Sequence, residues 1–391
     1  MERIVIIGGS IMGSSIAYHL AVAGAADRAL VIEPDPTYEW AAAPRSAGGV
    51  RLMHGLPENI EMSRYGQKVY RNFAELMDVD GEPGTFPFRE YGYLYLVAGR
   101  DGVAQAEASL EVQRASGVAN ELLDRSALER RFDGIRFDDI DVGLFGAEDG
   151  FIDPYAAVQG FRRKARSLGV EYLTDRVVDV QIRGERVSGV VTEAHGAIEA
   201  DVVVNVAGAW AGEICAMVGM SIPVEPLPRP TFYFEVRESL GPLPLTKDLT
   251  GVSFRTEGNG FATGLTRPGA DRGFHWDVGE AEHALFESEL WPALAHRVPA
   301  FEELKVQRTW AGHYAYNRLD GNTIIGPWIG GLSNFYIATG FSGAGLQKGP
   351  AIGRAMTELL LEGSYQTIDL SRLSYQRVID NAPLVEVGFK A

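Results

Sequence analysis

The chain has 391 residues, of which 46% are hydrophobic and 23% charged, as is typical of a globular protein with two domains or one large discontinuous domain. A net charge of −16 argues against nucleic acids and anionic membranes as partners, but it leaves a small anionic ligand open. The single cysteine, Cys215, excludes a disulfide framework, and the seven histidines show no metal-ligand spacing, so no metal is expected.

The chain begins directly on a strand pattern, so we expect no signal or transit peptide. Its most apolar stretch, residues 202–222, is interrupted by Asn205 and Glu213, and a strand followed by a helix explains it better than a membrane span. We therefore expect a cytoplasmic protein without membrane insertion.

The first part of the chain predicts a βαβ unit that binds a dinucleotide. Residues 4–7 are typical of a buried parallel strand, and a glycine cluster then precedes a helical pattern. Gly8 permits the tight turn, Gly13 lets the helix approach the strand, and the helix N-terminus offers N–H groups to a pyrophosphate. A second strand, residues 29–32, ends on Glu33, which is expected to bind the ribose hydroxyls and to disfavour NADP.

This fingerprint departs from Gly-x-Gly-x-x-Gly at one position, because Ser10 stands where the second glycine nears the pyrophosphate. Serine is still small enough for close approach. The residues predicted to hold the phosphates are Gly8, Gly9, Ser10, Ile11, Met12 and Gly13.

A loop of small residues, 34–56, follows the βαβ unit and carries Arg45 and Arg51. Its composition predicts a backbone that lies close to a flat ligand, and the alternative is a flexible surface linker. The next elements are predicted as a helix over 57–77, a strand over 86–97, helices over 103–116 and 125–131, and a helix from Pro154 to Leu168 capped by Asp153.

The second half of the chain alternates strands with glycine-rich turns. Strands are predicted over 170–173, 176–183, 186–193 and 200–206, then over 231–236, 251–255 and 260–264 within an antiparallel region that reaches 275, and over 335–340. Helices are predicted through Met217, over 279–296 and up to Glu362, with strand and loop over 301–316. Residues 223–230 contain four prolines and predict a domain crossing.

Two further small-residue turns are expected at the dinucleotide site. The strand over 200–206 turns sharply at Ala207-Gly208, and the strand over 335–340 leads into Phe341-Ser-Gly-Ala-Gly-Leu-Gln-Lys-Gly-Pro350. A glycine-rich helix start so near the C-terminus is expected to belong to the same ligand site as the opening fingerprint.

These residues resemble the D-amino-acid oxidase superfamily of FAD-dependent oxidoreductases, in its glycine oxidase and sarcosine oxidase/dehydrogenase branch. The chain is nearest to the subgroup of FAD-dependent oxidoreductase-domain proteins related to a complex I assembly factor. That closer resemblance rests on Gly48-Gly-Val-Arg51 with Leu56-Pro-Glu-Asn59, on Trp310-Ala-Gly-His-Tyr-Ala-Tyr-Asn317, and on residues 340–353.

The resemblance implies an α/β fold with a Rossmann-type FAD-binding domain and a second, mostly antiparallel β-sheet substrate domain of α+β type. The FAD-binding domain is expected to be discontinuous, over 1–80, 150–222 and 325–370. The substrate domain is expected over 81–149 and 223–324, and 371–391 is expected to be a C-terminal tail.

The resemblance also implies where FAD binds. The ADP half is expected on the fingerprint and Glu33, with Val177 on the adenine side, and the flavin ring between the Arg45–Arg51 loop and the C-terminal glycine-rich segment. Besides the phosphate-binding residues, the expected contacts are Glu33, Arg45, Ser46, Ala47, Gly48, Gly49, Val50, Arg51, Val177, Ala207, Gly208, Trp210, Gly340, Ser342, Gly343, Ala344, Gly345, Leu346 and Gln347. The helix N-terminus near Gly345 is expected to stabilise negative charge on the reduced ring.

The substrate site departs from the family. Tyr314 stands where glycine oxidases carry a carboxylate-binding arginine, Gly343 stands at a second arginine position, and Gln347 replaces a sarcosine oxidase lysine, with Lys348 turned away. The lysine that faces oxygen in sarcosine oxidases aligns with Ala262, and neither Lys247 nor Lys305 is on that strand.

The candidate catalytic residues are Arg51, His54, His313 and Tyr314. The alternatives are a surface salt bridge for Arg51 and a structural role for His54, and Arg229, Arg255 and Tyr316 are interpreted as structural.

The implied reaction is oxidation of a small primary or N-substituted amino acid by hydride transfer to flavin N5. The imine then hydrolyses to a carbonyl compound and an amine, and O2 is reduced to H2O2. The alternatives are a dehydrogenase with another acceptor and a non-catalytic FAD-binding assembly factor. Because Cys215 is far from the family's attachment position, the FAD is expected to be non-covalent.

Overall fold

The structure is a computed structural model that describes residues 2–85, 88–265 and 272–388. Its strands are β1 (Ile4–Ile7), β2 (Ala29–Glu33), β3 (Gly49–Val50), β4 (Tyr93–Val97), β5 (Glu121–Asp124), β6 (Val142–Gly146), β7 (Gly150–Phe151), β8 (Glu171–Thr174), β9 (Val177–Arg183), β10 (Arg186–Thr192), β11 (Gly196–Glu199), β12 (Val202–Asn205), β13 (Val224–Glu235), β14 (Leu245–Lys247), β15 (Val252–Glu257), β16 (Gly260–Leu265), β17 (Lys305–Asn317), β18 (Ile324–Pro327) and β19 (Phe335–Thr339). Its α-helices are α1 (Ile11–Val22), α2 (Pro57–Arg71), α3 (Phe73–Leu76), α4 (Arg100–Ala115), α5 (Arg125–Arg131), α6 (Pro154–Ser167), α7 (Ala211–Met217), α8 (Glu280–Leu285), α9 (Trp291–Arg297), α10 (Gly345–Glu362) and α11 (Gln376–Ile379).

A mostly parallel sheet has the strand order β18-β19-β12-β1-β2-β8. β1 pairs in parallel with β12 and β2, and β18 runs antiparallel to β19. Ile4 and Ile6 of β1 belong to the buried cluster that contains α1, α6 and α10, whereas Val5 and Ile7 belong to the cluster on the other face. Since successive strand residues point to opposite faces, this alternation explains why the whole strand is apolar. The carboxyl ends of β1, β12 and β19 therefore meet at one edge.

A second sheet has the strand order β17-β13-β16-β15-β14-β4-β6-β5. Its neighbours are antiparallel, except that β14 and β4 are parallel. Its core is rich in phenylalanine, with Phe232, Phe234 and Phe254 packed with Phe301 in one buried cluster. The parallel sheet with a mostly antiparallel second sheet confirms the predicted fold class.

The proline-rich stretch 223–230, predicted to be a domain crossing, lies where the chain passes from the parallel sheet to the second sheet, and most of it belongs to β13. Pro226, Pro228 and Pro230 alternate along this strand, so their missing N–H groups lie on one side. β13 pairs with β17 from Val224 onwards but meets β16 only at residues 232–234. The three prolines therefore occupy the part of the strand where one side has no ladder partner among the described residues.

Two other elements are shorter than predicted. The strand predicted over 86–97 is limited to β4, since Gly92 takes a φ of +85° just before it, and residues 86 and 87 lie outside the described part. The helix predicted over 57–77 is interrupted at Asn72 between α2 and α3. The antiparallel region predicted to reach residue 275 includes residues 266–271, which also lie outside the described part.

The predicted cap of α6 is confirmed, because the Asp153 side chain accepts a hydrogen bond from the N–H of Ala156 at 2.9 Å. Among the described residues, no helix is both long enough and apolar enough to span a bilayer.

Candidate functional site

The fingerprint loop joins β1 to α1 in a space that only glycine backbone fits. Gly8 takes a φ of +102°, and a Cβ there would lie 2.8 Å from the carbonyl oxygen of Val206. A Cβ on Gly13 would lie 1.8 Å from the carbonyl oxygen of Gly8. The first turn of α1 is thus held against the end of β1. Its free N–H groups are available to a bound anion.

Glu33, at the end of β2, packs against the fingerprint loop. Its carboxylate accepts hydrogen bonds from the backbone N–H groups of Gly9 at 2.7 Å and Asp35 at 3.0 Å. Burial raises the pKa of this carboxyl, while the two N–H groups oppose that rise. The side-chain oxygen of Ser10, at the departing position of the fingerprint, is buried and has no hydrogen-bond partner among the described residues. A phosphate oxygen would supply one, so these residues fit the pyrophosphate of a dinucleotide.

The turn after β12 lies beside the fingerprint, as predicted. The N–H of Val206 donates to the carbonyl of Ile7 at 3.0 Å, and the hydroxyl of Thr339 donates to the carbonyl of Gly208 at 3.3 Å. These bonds bring the ends of β1, β12 and β19 to one place, with Gly340 next in the chain. Val177, at the start of β9, is buried in the cluster that contains Val5 and Ile7.

The Arg45–Arg51 loop and the start of α10 are linked across the molecule. The backbone N–H of Arg51 donates to the side-chain oxygen of Gln347 at 2.7 Å, and the indole N–H of Trp310 donates to the carbonyl of Arg45 at 3.0 Å. Gly48 takes a φ of +71°, and a Cβ there would lie 2.2 Å from the carbonyl oxygen of Ile152. The predicted flat-ligand loop is therefore a tightly held segment that packs against α10.

The other predicted contacts divide into two groups. One group lines a cleft between the two sheets and includes Arg45, Ser46, Ala47, Gly48, Gly49, Arg51, Gly343 and Leu346. The other group is buried nearby in the core or at the loop ends and includes Ile11, Met12, Val50, Ala344 and Gln347. The residues from the second sheet that line the cleft are Tyr93, Arg229, Pro230, Thr231, Leu245, Lys247, Ser253, Phe254, Arg255, Ala262, Thr263, Gly264, Leu265, Gly312, His313 and Tyr314.

Tyr314 forms one wall of this cleft. A Cβ on Gly343 would lie 2.6 Å from the Tyr314 ring, so the ring packs directly on the glycine-rich segment. On the ring lies the guanidinium of Arg229, with its central carbon 5.1 Å from the ring centroid. The Arg229 Nε–H is buried without a partner among the described residues. Arg229 thus brings a guanidinium to the neighbourhood where relatives with arginine at the Tyr314 position would have one.

Lys247 and Arg51 add two more cations. Lys247 has neither a hydrogen bond nor an ion pair among the described residues, and burial followed by Arg51 and Arg229 lowers its pKa to about 8. The Arg51 guanidinium lies 5.5 Å from the Tyr93 ring centroid, and its Nε–H donates to the carbonyl of Met53 at 3.4 Å. As expected, Lys247 is not on the strand of Ala262, but β14 brings it to the same cleft two strands away.

His313 lines the cleft but is only 1% exposed. Its Nε2 accepts a hydrogen bond from the backbone N–H of His275 at 2.8 Å, which assigns the ring proton to Nδ1. Burial, followed by the nearby His275 and Arg45, lowers the pKa of His313 to about 4. A neutral His313 therefore carries a buried Nδ1–H with no partner among the described residues.

His54 does not line the cleft. Its Nε2 lies 3.1 Å from the hydroxyl of Ser63 and 3.2 Å from the side-chain nitrogen of Gln347, and its Nδ1 lies 3.3 Å from the Glu386 carboxylate. Burial lowers the pKa of His54 to about 4. Both ring nitrogens are thus engaged behind the Arg45–Arg51 loop, an arrangement that favours the structural alternative for His54 over the expected catalytic role. Lys348 is likewise buried outside the cleft, where it donates to the Asn59 side chain at 2.8 Å.

An aromatic cluster that the sequence analysis did not identify closes one end of the site. Trp210 stacks on Phe274 with ring centroids 4.8 Å apart, and Trp276 packs against His313 at 4.0 Å and against Trp40 at 4.7 Å. Trp210 follows the Ala207-Gly208 turn, so this cluster connects the dinucleotide edge to the cleft. Phe274 lies in the region predicted as antiparallel β and Trp276 just beyond it, but neither belongs to a strand, and no sequence pattern marks them as part of the site.

A dinucleotide fingerprint whose strand edge adjoins a cleft floored by an antiparallel sheet is typical of an enzyme that uses a dinucleotide cofactor. Residues 3–359 match the family described as DAO, FAD dependent oxidoreductase, and the chain belongs to this family. The predicted resemblance is thereby confirmed.

The chain is 36% identical to FAD-dependent oxidoreductase domain-containing protein 1 of Bos taurus, over 96% of this chain and 84% of that protein. It is 25% identical to 4-methylaminobutanoate oxidase (formaldehyde-forming) of Paenarthrobacter nicotinovorans, over 96% of this chain and 45% of that protein. Its fold is similar to that of L-proline dehydrogenase from P. horikoshii, with a TM-score of 0.87, 26% identity and coverage of 98% and 99% of the two chains.

Proposed function

We propose that this protein is an FAD-dependent oxidase of a small amino acid, with an N-substituted glycine as the simplest substrate. The observation that carries the proposal is the juxtaposition of the Arg45–Arg51 loop and the glycine-rich segment with unpaired cations of the second sheet. Such a cleft suits a carboxylate held beside a flat cofactor. The relatives named for the oxidation of a secondary amine or of proline agree with a substrate of this kind.

The residues present fit FAD. The fingerprint loop and Glu33 would hold the ADP half, since Ser10 has a free buried hydroxyl and the glycines leave no room for side chains. The Arg45–Arg51 loop and the start of α10 would hold the ring. When bound, FAD would supply the acceptor of a hydride, that is two electrons and a proton, which no side chain of the cleft can replace.

The chain's own residues bind and orient the substrate. Arg229 presents a guanidinium, stacked on Tyr314, to the substrate carboxylate. The Nδ1–H of His313 offers one further hydrogen bond. The apolar lining, with Leu245 and Leu346, excludes water and so strengthens each of these interactions.

We propose oxygen as the electron acceptor. Ala262 aligns with the lysine that faces oxygen in sarcosine oxidases, and Lys247 brings a cation to the same cleft from another strand. A buried cation stabilises negative charge that forms on oxygen in a cleft of low polarity. Reoxidation of the reduced protein in air should then be at least as fast as turnover. Reoxidation far slower than turnover with an artificial acceptor would instead favour a dehydrogenase.

The FAD is proposed to be non-covalent. Cys215 is fully buried in α7, where its sulfur accepts a hydrogen bond from the Asn205 side chain at 3.3 Å, and burial raises its pKa to about 12. It is not among the lining residues of the cleft. Acid precipitation should release all yellow colour into the supernatant, and colour that remains in the pellet on a flavin-modified peptide would contradict this proposal.

The test of function is anaerobic mixing of the FAD-loaded protein with N-methylglycine, glycine, proline and N-methylated amines that lack a carboxylate. We expect the carboxylated amines to bleach the flavin and the others to leave it yellow. A matched experiment in air should release H2O2 with the same substrates. A fully loaded protein that no amine bleaches would contradict the proposal and favour a non-catalytic FAD-binding role.

A further inference from the structure

The cleft contains more positive charge than one substrate carboxylate can neutralise. Arg51, Arg229 and Lys247 all line it, and Arg51 and Arg229 are the two charges that act on Lys247. None of the described lining residues is an aspartate or a glutamate. The cleft is therefore cationic in a chain whose net charge is −16.

Elsewhere the protein neutralises its buried arginines. Arg297 forms ion pairs with Asp139 at 2.8 Å and with Asp248 at 2.6 Å. Arg377 forms an ion pair with Asp320 at 2.9 Å. In contrast, Arg229 and Lys247 have no ion pair among the described residues, whereas the carboxylates of Glu386 and Asp149 lie close enough to Arg51 to raise its pKa. Since unpaired charges are costly away from water, Arg229 and Lys247 have the character of ligand-binding groups.

The positions of the cations separate them into two places. Arg229 lies on β13 and Lys247 on β14, which are three strand spacings apart in the sheet order β13-β16-β15-β14. At roughly 4.8 Å per spacing, β13 and β14 are about 14 Å apart where β13 pairs with β16, at residues 232–234, and Arg229 lies three residues before that paired segment. Two long side chains that enter the cleft from this distance leave room for a short molecule with an anionic group at each end. Arg51 approaches from the opposite loop.

We propose that the substrate carries two carboxylates, as in an N-carboxyalkyl amino acid. This inference rests on the proposed function and narrows it. Arg229 binds the carboxylate next to the carbon that is oxidised, while Lys247 and Arg51 bind the second one, so Lys247 faces oxygen only after the oxidised substrate has left. The substrate nitrogen lies between the two anionic ends, and both ends are neutralised by the cleft.

The binding test uses anions that cannot react as amines. Thiodiacetate and methylthioacetate differ only in the second carboxylate, and both contain sulfur in place of nitrogen. Their dissociation constants are measured on the FAD-loaded protein from the change in the flavin spectrum. We expect thiodiacetate to bind at least tenfold more tightly, with a preference that declines as salt is added. Equal affinities would overturn the proposal.

Variants locate the second subsite. Lys247→Met should reduce the preference to less than threefold, whereas Lys247→Arg should retain most of it. Lys305→Met is the matched control, because Lys305 is exposed at the start of β17 and lies outside the cleft lining; it should retain the full preference. A full preference in Lys247→Met would overturn the assignment. If Lys247→Met does not fold, the affinities of the wild-type protein for thiodiacetate and methylthioacetate, and their salt dependence, still test the proposal.

A reaction test separates this inference from the proposed function. The flavin of the wild-type protein is mixed anaerobically with N-methylglycine or with N-(carboxymethyl)glycine. Bleaching at lower concentration by the dicarboxylate supports both proposals. Bleaching by both compounds at equal concentration overturns the second subsite alone. A thiodiacetate preference without bleaching by either amine supports the subsite and contradicts the proposed function.

Discussion

The fingerprint loop and the cleft wall are built in different ways. In the fingerprint, backbone atoms touch: a Cβ on Gly13 would lie 1.8 Å from the carbonyl oxygen of Gly8, five residues away. In the cleft wall, long side chains converge from separate strands, with Arg229 on β13 and Lys247 on β14. The first region thus depends on the absence of side chains at short sequence separation. The second depends on which side chains the completed sheet brings together.

The largest effect is expected where backbone meets backbone. Gly13→Ala should destabilise the protein by about 4 kcal/mol, since the clashing neighbour is a carbonyl oxygen that cannot move without shifting β1 or α1. The measurement is urea unfolding of the variant together with its flavin content. Gly241→Ala is the control, because nothing lies within 4 Å of its added Cβ. A Gly13→Ala protein of normal stability that still retains FAD would break the comparison.

The second-largest effect on stability is expected at Glu386, a buried carboxylate behind the Arg45–Arg51 loop. Glu386 accepts a hydrogen bond from the N–H of Gly55 at 2.9 Å and lies 3.3 Å from His54. Burial acts to raise its pKa, but the hydrogen bond from His54 and the charge of Lys348 lower it to about 2. Glu386→Gln should therefore destabilise the protein by about 2–3 kcal/mol at neutral pH.

The pH dependence of that effect has a definite sign. Because the folded pKa of Glu386 lies below the ordinary value of 4.5, its stabilisation is complete above about pH 5 and declines as the pH falls towards 2. Urea unfolding should show the wild-type protein and Glu386→Gln approaching each other in stability between pH 5 and pH 3. A difference that stays constant over this range would contradict the role of the carboxylate.

Substitution in the cleft wall should change binding and leave the fold intact. Arg229→Leu should weaken substrate binding by about 2 kcal/mol, or roughly thirtyfold, because a hydrogen bond to a charged group is lost. The readout is the substrate concentration at half-maximal rate of flavin bleaching, with unfolding and FAD content as controls. Unchanged binding would move the carboxylate site to Arg51 or Arg255.

The smallest effect is expected at Glu33. Glu33→Ala should weaken FAD retention by about 1 kcal/mol, or roughly fivefold, without unfolding the protein, since the fingerprint still holds the pyrophosphate. Flavin occupancy after gel filtration is the measurement. Full occupancy in the variant would show that the ribose is held elsewhere.

These differences explain what could be predicted from the sequence. The spacing of Gly8, Gly13 and Glu33 follows from the geometry of one βαβ unit, so it is visible in a short stretch of chain. Lys247 and Phe274 reach the site through strand pairing and loop placement over long separations, and no local pattern marks them. In the sequence His54 is a candidate catalytic residue. Only the structure shows that Ser63, Gln347 and Glu386 lie within hydrogen-bond distance of its two ring nitrogens.

The prolines of β13 illustrate the same limit. Their composition predicts a domain crossing, but it does not show that the same residues pair with β17 along one side. This strand carries Arg229 into the cleft. The sequence alone therefore favours a structural role for Arg229, which we propose as the carboxylate anchor.

The most direct test of the central claim is the rate of anaerobic flavin bleaching by N-methylglycine with and without deuterium on its α-carbon, the carbon next to the carboxylate. If this protein breaks a C–H bond next to the amine nitrogen, the flavin should bleach, and deuterium should slow the bleaching several-fold. Bleaching should also require the substrate carboxylate, and methylamines without one should be inert at the same concentration. A flavin that stays oxidised with every carboxylated amine, in a protein fully loaded with FAD, would contradict the account.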